Sequence, residues 1–455
     1  MKTRISLRNP AERPPQGDFL LRLVFMRESI LYFYGAAGMV TGSNFLLETF
    51  DPDAKVGARI LVDCGLMQGM GEEKNWEPFA YNPADISHLV VTHAHLDHIG
   101  RIPRLVKQGF KGKIISTKAT MALAEPLLLD AMEILGGFAE RRGREELFNA
   151  HDISAAMALW TGIGYSEKVD LPDGITLELL DAGHILGSAI ARLARDGRNI
   201  IFTGDLGGGN SPLLPPTHEV TGATYLVMEG TYGDKNRPED KNRRERLEDI
   251  IEDSAKRGGT LLIPAFSTER TQDLMYEIRT LMVEKRVPSM PVFIDSPLAL
   301  RVTRAFVAHP EYFSAAMQKR IEGGEDIFAF PELHFVESVE ASRKIKETAG
   351  PKIILAGSGM SGGGRVLAHE REYLPDINST LLIVGYQAAG TMGRRLIEGA
   401  KHIEYHKEKI PVRAKVETLY GYSAHRDSES LLEFANKAAQ DAEQVFVTHA
   451  EPAAS

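Results

Sequence analysis

The chain has 455 residues, 43% of them hydrophobic and 25% charged, and a formal net charge of −9. That length accommodates two or three domains with sizeable cores, and the composition is that of an ordinary globular protein rather than a disordered or fibrous one. The acidic balance excludes nucleic-acid binding through overall positive charge, and the single cysteine, Cys64, excludes an internal disulfide and a multi-cysteine zinc site.

Residues 1–28 are basic and proline-containing as far as Pro15, then briefly apolar. The apolar piece is broken by Arg22 and lacks a small-residue cleavage site, so it does not read as a signal peptide. No run approaches the length of a membrane span. The expectation is a flexible leader, with Met26 as an alternative start, on a cytoplasmic protein with no membrane partner. Strands are expected over 29–34 and 43–49, separated by the turn Gly35-Ala36-Ala37-Gly38. A third, over 59–63, ends in Asp63-Cys64-Gly65.

Next comes the densest chemistry in the chain. The apolar run Leu89-Val90-Val91 reads as a buried strand. It is followed by Thr92-His93-Ala94-His95-Leu96-Asp97-His98 and a helix over 102–107. His93 and His95 alternate as in extended chain and can point to one side. Asp97 and His98, on the following turn, can face a second point a few Å away. One motif can thus offer nitrogen and oxygen donors to two metal ions.

Residues 120–160 are rich in Ala, Leu and Met and are expected to form a helical layer over a sheet. Three strands then end in polar residues: 175–180 at Asp181-Ala182-Gly183-His184, 199–202 at Thr203-Gly204-Asp205, and 225–228 at Glu229-Gly230-Thr231-Tyr232. Repeated delivery of polar residues to strand ends marks a functional rim. From about 233 the pattern changes to strand–helix alternation, with strands over 261–264, 292–294, 352–356 and 380–384 and a helix over 271–284. This is a parallel-sheet α/β domain. It reads as an insertion, because the chain later returns to histidine-bearing segments near 425 and 449.

Six of the fourteen histidines lie at expected strand ends or turns: His93, His95, His98, His184, His425 and His449. The others, such as His88, His151 and His309, have no such setting and are assigned to surface or core. His93, His95 and His184 fit one ion. Asp97, His98 and one late histidine fit a second, with Asp205 bridging. A water held between the ions would have its pKa lowered from about 15.7 toward roughly 7. Asp63 is placed behind the site, orienting ligands or the water.

Asp63, the His93–His98 cluster, His184 in Gly183-His184-Ile185-Leu186-Gly187-Ser188 and Asp205 in Thr203-Gly204-Asp205 together resemble the metallo-β-lactamase superfamily. The resemblance implies a four-layer αββα sandwich over 29–232 and 419–455, with an inserted parallel-sheet α/β domain over 233–418. Glu229-Gly230-Thr231-Tyr232-Gly233, Tyr422-Ser423-Ala424-His425-Arg426-Asp427 and Val447-Thr448-His449-Ala450-Glu451-Pro452 look like motifs A, B and C of its β-CASP subgroup of RNA- and DNA-cleaving nucleases. Histidine rather than valine in motif C implies a preference for RNA.

The resemblance further implies two zinc ions, with manganese or iron left open, and it assigns His449 to the second ion. It implies catalytic roles for Asp63, Asp97, Glu229 and His425, with His425 paired to Glu229 beside the leaving group. The carboxylate would fix the imidazole tautomer, and the imidazolium would supply the proton that the departing 3′-oxygen needs.

Two glycine-rich loops, 356–365 and 385–395, each lie between a strand and a helix. Such loops expose N–H groups suited to phosphate, although tight packing explains them equally. The resemblance favours RNA contacts, assigned to Ser358, Ser361, Gly363, Arg365 and Arg394, and to Arg270 in a third segment. Departures from the family pattern are Ala450, where Gly is usual, and an ending at Ser455, where a helix normally continues. The expected partner is single-stranded RNA. The sequence leaves open endonucleolytic or 5′-exonucleolytic cutting, the RNA chosen and a homodimer. The competing readings are a catalytically quiet RNA-binding scaffold and a small-ester hydrolase.

Overall fold

Three sheets carry the chain, and the two-residue side-chain period of their strands sorts residues into layers. The structure is a computed structural model that describes residues 19–24, 28–50, 55–236, 242–385, 387, 390–405, 408–422, 424–451 and 454. The leader residues 1–18 and 25–27, and the motif positions Tyr386, Ala388, Ala389, Ser423 and Pro452, lie outside the described residues.

The first sheet runs in sequence order through β1 (Phe19–Val24), β2 (Glu28–Phe33), β3 (Phe45–Phe50), β4 (Val56–Val62), β5 (His88–Val90), β6 (Lys113–Thr117) and β7 (Trp160–Ile163). It is antiparallel as far as β4 and parallel from there on. Strand β1 places residues 19–24 of the expected leader in this sheet. Its backbone pairs with β2 from Phe19↔Phe33 to Val24↔Glu28. The physical reason is that β2 would otherwise present a row of unpaired N–H and C=O groups at the sheet edge.

The second sheet contains β8 (Lys168–Leu171), β9 (Ile175–Asp181), β10 (Ala189–Arg195), β11 (Arg198–Phe202) and β12 (Tyr225–Glu229). The third contains β13 (Thr260–Pro264), β14 (Val292–Asp295), β15 (Leu333–Phe335), β16 (Lys352–Ala356), β17 (Thr380–Ile383) and β20 (Lys415–Thr418), all parallel, in the order β15-β14-β16-β13-β17-β20. A separate hairpin, β18 (His402–Tyr405) and β19 (Glu408–Pro411), sits between the last two of these in sequence. The final strand, β21 (Gln444–Thr448), returns to the second sheet and pairs in parallel with β12.

Alternation then explains the sandwich. Leu31, Leu47, Ile60 and Val62 of the first sheet meet Leu177, Leu179, Ile200, Phe202 and Val227 of the second in one buried core. The intervening residues Leu61 and Leu89 face a helical layer with Leu123 and Leu127, while Ile201 and Leu226 face Leu431 and Phe434 of the helix Ser428–Ala438. The order of layers is therefore αββα. Each fully buried Leu or Ile contributes about 1.5–3 kcal/mol.

The expected helical stretch 120–160 is two helices, Lys118–Arg141 and Ala150–Ala158. The break follows from Gly143, at φ +62°, and from Asn149, which caps the second helix in a reciprocal box with Asp152. Thr117 caps the first helix, which packs against Pro297–Ala308 of the third-sheet region. The helical layer and one face of the third sheet share a single apolar cluster. No helix among the described residues is long and apolar enough to cross a membrane.

Candidate metal centre

Strands β9, β11, β12 and β21 run in the same direction, so their carboxyl ends deliver His184, Asp205, Glu229 and His449 to one edge of the second sheet. Strands β4 and β5, also parallel, bring Asp63 and the His93–His98 segment to the facing edge of the first. Carboxyl ends of parallel strands are where α/β sheets place ligand sites. The fit is close at Gly204, which adopts φ +54° and where a Cβ would stand 2.8 Å from the Thr92 side chain.

Two donor groups meet at Asp205. His95 Nδ1 lies 3.2 Å from both His93 Nε2 and His184 Nε2. Asp205 Oδ2 lies 3.5 Å from His93 Nε2 and 3.6 Å from His184 Nε2. On the other side, Asp205 Oδ1 is 3.4 Å from His98 Nε2 and 3.8 Å from His449 Nε2, and His449 Nε2 is 3.7 Å from Asp97 Oδ2. Four donors held tetrahedrally about 2.0–2.2 Å from one ion stand about 3.3–3.6 Å apart; the first group lies close to that spacing and the second is slightly wider, at 3.4–3.8 Å. Two atoms strengthen the fit. His98 Nε2 and Asp205 Oδ1 are buried and make no hydrogen bond, a cost that a cation between them would remove.

Four of the five histidines in the two groups, all but His95, have a partner behind them that sets the ring. His98 Nδ1 is 2.7 Å from Asp63 Oδ2, His93 Nδ1 is 3.1 Å from the Thr92 hydroxyl, His184 Nδ1 is 3.4 Å from the Ala424 carbonyl and His449 Nδ1 is 3.4 Å from the Ser43 hydroxyl. Asp63 is held in turn by the N–H and hydroxyl of Thr92, both at 2.8 Å. His449 adopts φ +51°, with its N–H donated to the Ala36 carbonyl at 2.7 Å. Sequence reading placed Asp63 here but missed Thr92 and Ser43. For Thr92 a signal existed, since it immediately precedes His93; Ser43 lies 406 residues from its histidine and gave none.

Electrostatics match a cation site. Burial, reinforced by neighbouring imidazoles, holds His95 and His184 well below the ordinary histidine range, so both keep a lone pair. Burial lowers His93 in the same way. For His98 burial also opposes charge, but the carboxylates of Asp205 and Asp63 outweigh it and hold the ring well above the ordinary value. Burial opposes ionisation of Asp205, yet His449, His98 and His93 hold its carboxyl well below the usual range.

Glu229 and His425 form a third cluster with Asp205. His425 Nδ1 lies 3.2 and 3.3 Å from the two Glu229 oxygens, and its ring centroid is 4.6 Å from that of His184, with the planes tilted by 50°. Glu229 is buried and accepts the N–H of Leu206, the residue after Asp205, at 2.6 Å. The pair is thus registered to Asp205 through the backbone.

The expected RNA-contact residues divide. Ser358, Ser361 and Gly363 lie in the loop after β16, at the carboxyl ends of the third-sheet strands; Ser358 Oγ accepts the Gly362 N–H and Ser361 is buried. This loop meets the one after β17 through Gln387, whose amide donates to the Gly359 carbonyl at 2.9 Å. Arg394 is on the helix after that second loop, 2.6 Å from Glu398.

Two arginines expected to contact RNA lie beside carboxylates of the protein itself. Arg365 points into the protein: Nη1 is 2.6 Å from Asp295 Oδ1 and 2.9 Å from the Val336 carbonyl. Arg270 is 8% exposed and 3.6 Å from Asp273, and it lines a crevice of about 260 Å³ beside His184 with Arg243, Ser211 and Tyr422. In each case a buried carboxylate binds the guanidinium more closely than an open cleft could. A further connection escaped sequence reading. Glu269 reaches from the third-sheet region to accept the N–H of Leu186, two residues past His184, at 3.1 Å.

Comparison with known proteins gives three family matches. The metallo-β-lactamase superfamily matches residues 54–249, the Beta-Casp domain matches 271–396, and a Zn-dependent metallo-hydrolase RNA specificity domain matches 409–455. Ribonuclease TTHA0252 of Thermus thermophilus is 37% identical, over 88% of this chain and 89% of that protein. Transcription termination factor FttA is 32% identical in both Methanosarcina mazei and Methanocaldococcus jannaschii, over 91% and 96% of this chain and 66% and 68% of those proteins. A solved structure of a protein of unknown function from Enterococcus faecalis shares the fold, with a TM-score of 0.52 at 13% identity, over 93% of this chain and 94% of that one.

Proposed function

The chain belongs to the β-CASP family of the metallo-β-lactamase superfamily, and from that membership we propose that it is a zinc-dependent ribonuclease cutting single-stranded RNA. The observation that carries the proposal is Asp205, whose two carboxylate oxygens face separate donor groups, with the Glu229–His425 pair set beside it. The printed name of the Thermus relative, a ribonuclease, and the RNA specificity match over 409–455 support RNA as the substrate.

In this reading His93, His95 and His184 would hold one zinc ion and Asp97, His98 and His449 the other, with Asp205 shared between the two groups. When bound, the ions supply a nucleophile active at neutral pH and neutralise charge building on the phosphate. The chain's own residues do the rest. Asp63 accepts the Nδ1 proton of His98 and so aims Nε2 at the site, where a bound cation would take the place of the Nε2 proton. Glu229 holds His425 by Nδ1, which leaves Nε2 as the atom that delivers a proton to the departing 3′-oxygen. The leaving group needs this proton because an alkoxide is a poor leaving group at neutral pH.

A catalytically quiet scaffold would have no use for a complete donor set, and a small-ester hydrolase would have no use for the Glu229–His425 pair. The test is metal content together with cleavage of an internally labelled single-stranded RNA by wild type, His93→Ala and His425→Ala, with p-nitrophenyl esters assayed in parallel. Two metals per chain and metal-dependent cutting, abolished in both variants, are expected. Bound metal with ester hydrolysis and intact RNA would overturn the assignment.

A further inference from the structure

Phe266 stands out among the exposed apolar side chains. It follows β13 at the carboxyl rim of the third sheet and is 46% exposed, the most exposed aromatic among the described residues. Singly exposed apolar residues are ordinary on protein surfaces. Ile377, which is 68% exposed and precedes β17 at the opposite edge of the sheet, is of that kind. Phe266 differs in how it is held. A Cβ on Gly359 would lie 2.7 Å from the ring, so the loop after β16 lies against it at a distance that only glycine allows. Its carbonyl accepts both the N–H and the hydroxyl of Thr271, at 3.3 and 2.7 Å, which fixes the backbone. Three residues on, Glu269 holds Leu186 in the loop that carries His184. The ring is therefore fixed at the carboxyl ends of the third-sheet strands, backed by a loop, open to solvent and three residues from the side chain that reaches the His184 loop.

We propose that Phe266 is a stacking platform for one nucleobase of the bound RNA strand, a position that sets substrate register on the way to the metal centre. The proposal rests on the ribonuclease reading above. An aromatic face suits any base, because every base has a π-face, and the flexible backbone of a single strand can lay a base upon it. Holding one base beside a backbone-lined loop also fixes which phosphate reaches the donor groups. Phe266 is a positioning residue here, not a catalytic one.

The test uses a 2′-O-methyl RNA, which resists cleavage, made as a series in which each nucleotide in turn is abasic. Binding is measured for metal-loaded wild type, Phe266→Ala, Phe266→Trp and Ile377→Ala. One abasic position should weaken wild-type binding roughly 5- to 150-fold. That penalty should vanish in Phe266→Ala, persist in Phe266→Trp and be untouched in Ile377→Ala. Phe266→Ala should also raise KM for unmodified RNA far more than it lowers kcat. If no abasic position loses its penalty in Phe266→Ala, while wild type binds and cuts RNA, the platform is wrong and the ribonuclease reading stands. If wild type carries metal yet neither binds nor cuts RNA, both fall together.

Discussion

Asp63 Oδ2 lies 2.7 Å from Nδ1 of His98, with both side chains buried. The carboxylate has three contacts to make and makes all three: this one and two to Thr92. His98 is thereby fixed as the tautomer with its Nδ1 proton turned away from Asp205. Replacing Asp63 with Asn is expected to weaken binding at the second site by about 10- to 100-fold, the usual effect of losing a carboxylate behind a metal-binding histidine. The first site, whose His93 meets Asp63 only through the Thr92 hydroxyl, should lose much less affinity. Titration by calorimetry checks this, and equal loss at both sites would contradict it.

Glu229→Gln and His425→Ala separate proton delivery from metal binding. Neither residue belongs to the two donor groups, so two metals per chain should remain. The rate should fall by about 10²- to 10⁴-fold, the usual range for removing a general acid. KM should change little. Restoration of His425→Ala activity by an RNA carrying a 3′-bridging phosphorothiolate, whose thiolate leaves without a proton, would identify the step. Loss of metal in either variant would assign the pair a ligand role instead.

Much of this site was legible because its chemistry is local. A buried strand followed at once by His93, His95, Asp97 and His98 leaves little choice about where those side chains go, and His184 and Asp205 repeat the device at later strand ends. The family resemblance added His449 and the Glu229–His425 pair. What the sequence hid was pairing across distance. The charge of Arg365 says nothing about Asp295, 70 residues earlier, and the apolar run at 19–24 gives no sign that its backbone completes a sheet edge. Ser43 and Glu269 are silent for the same reason. Hydrophobic alternation located the faces of strands, but it carries no record of which polar atom meets which.

Arg365 and Asp295 predict a loss of stability rather than of RNA affinity. Asp295 has no exposed surface and takes hydrogen bonds from Arg365, His369 and Ser342. Burial opposes its charge, but these partners outweigh it and hold its carboxyl below the ordinary value. Removing Arg365 leaves this buried charge with His369 and Ser342 alone, at a cost of up to about 3–5 kcal/mol. Arg365→Ala should therefore melt several degrees lower, with no change in the salt dependence of RNA binding. An unchanged melting temperature and a shallower salt slope would instead return Arg365 to the RNA contacts.

Glu370 gives the pH dependence. It is fully buried in the helix Val366–Tyr373, beyond the glycine-rich loop 357–364, and no hydrogen bond reaches either carboxylate oxygen among the described residues. Burial pushes its carboxyl up to about 7 from an ordinary 4.5. The folded state thus holds the proton more tightly than the unfolded state. Its contribution to stability is full below about pH 4.5, declines as pH rises, and is gone above about 7, a span on the order of 3 kcal/mol. Glu370→Gln keeps the shape and removes the ionisation. The variant should melt with wild type near pH 4.5 and above it at pH 8, since only wild type then carries a buried, unpaired charge. Melting curves for the two proteins that stay parallel from pH 4.5 to 8 would show that Glu370 does not titrate in this range.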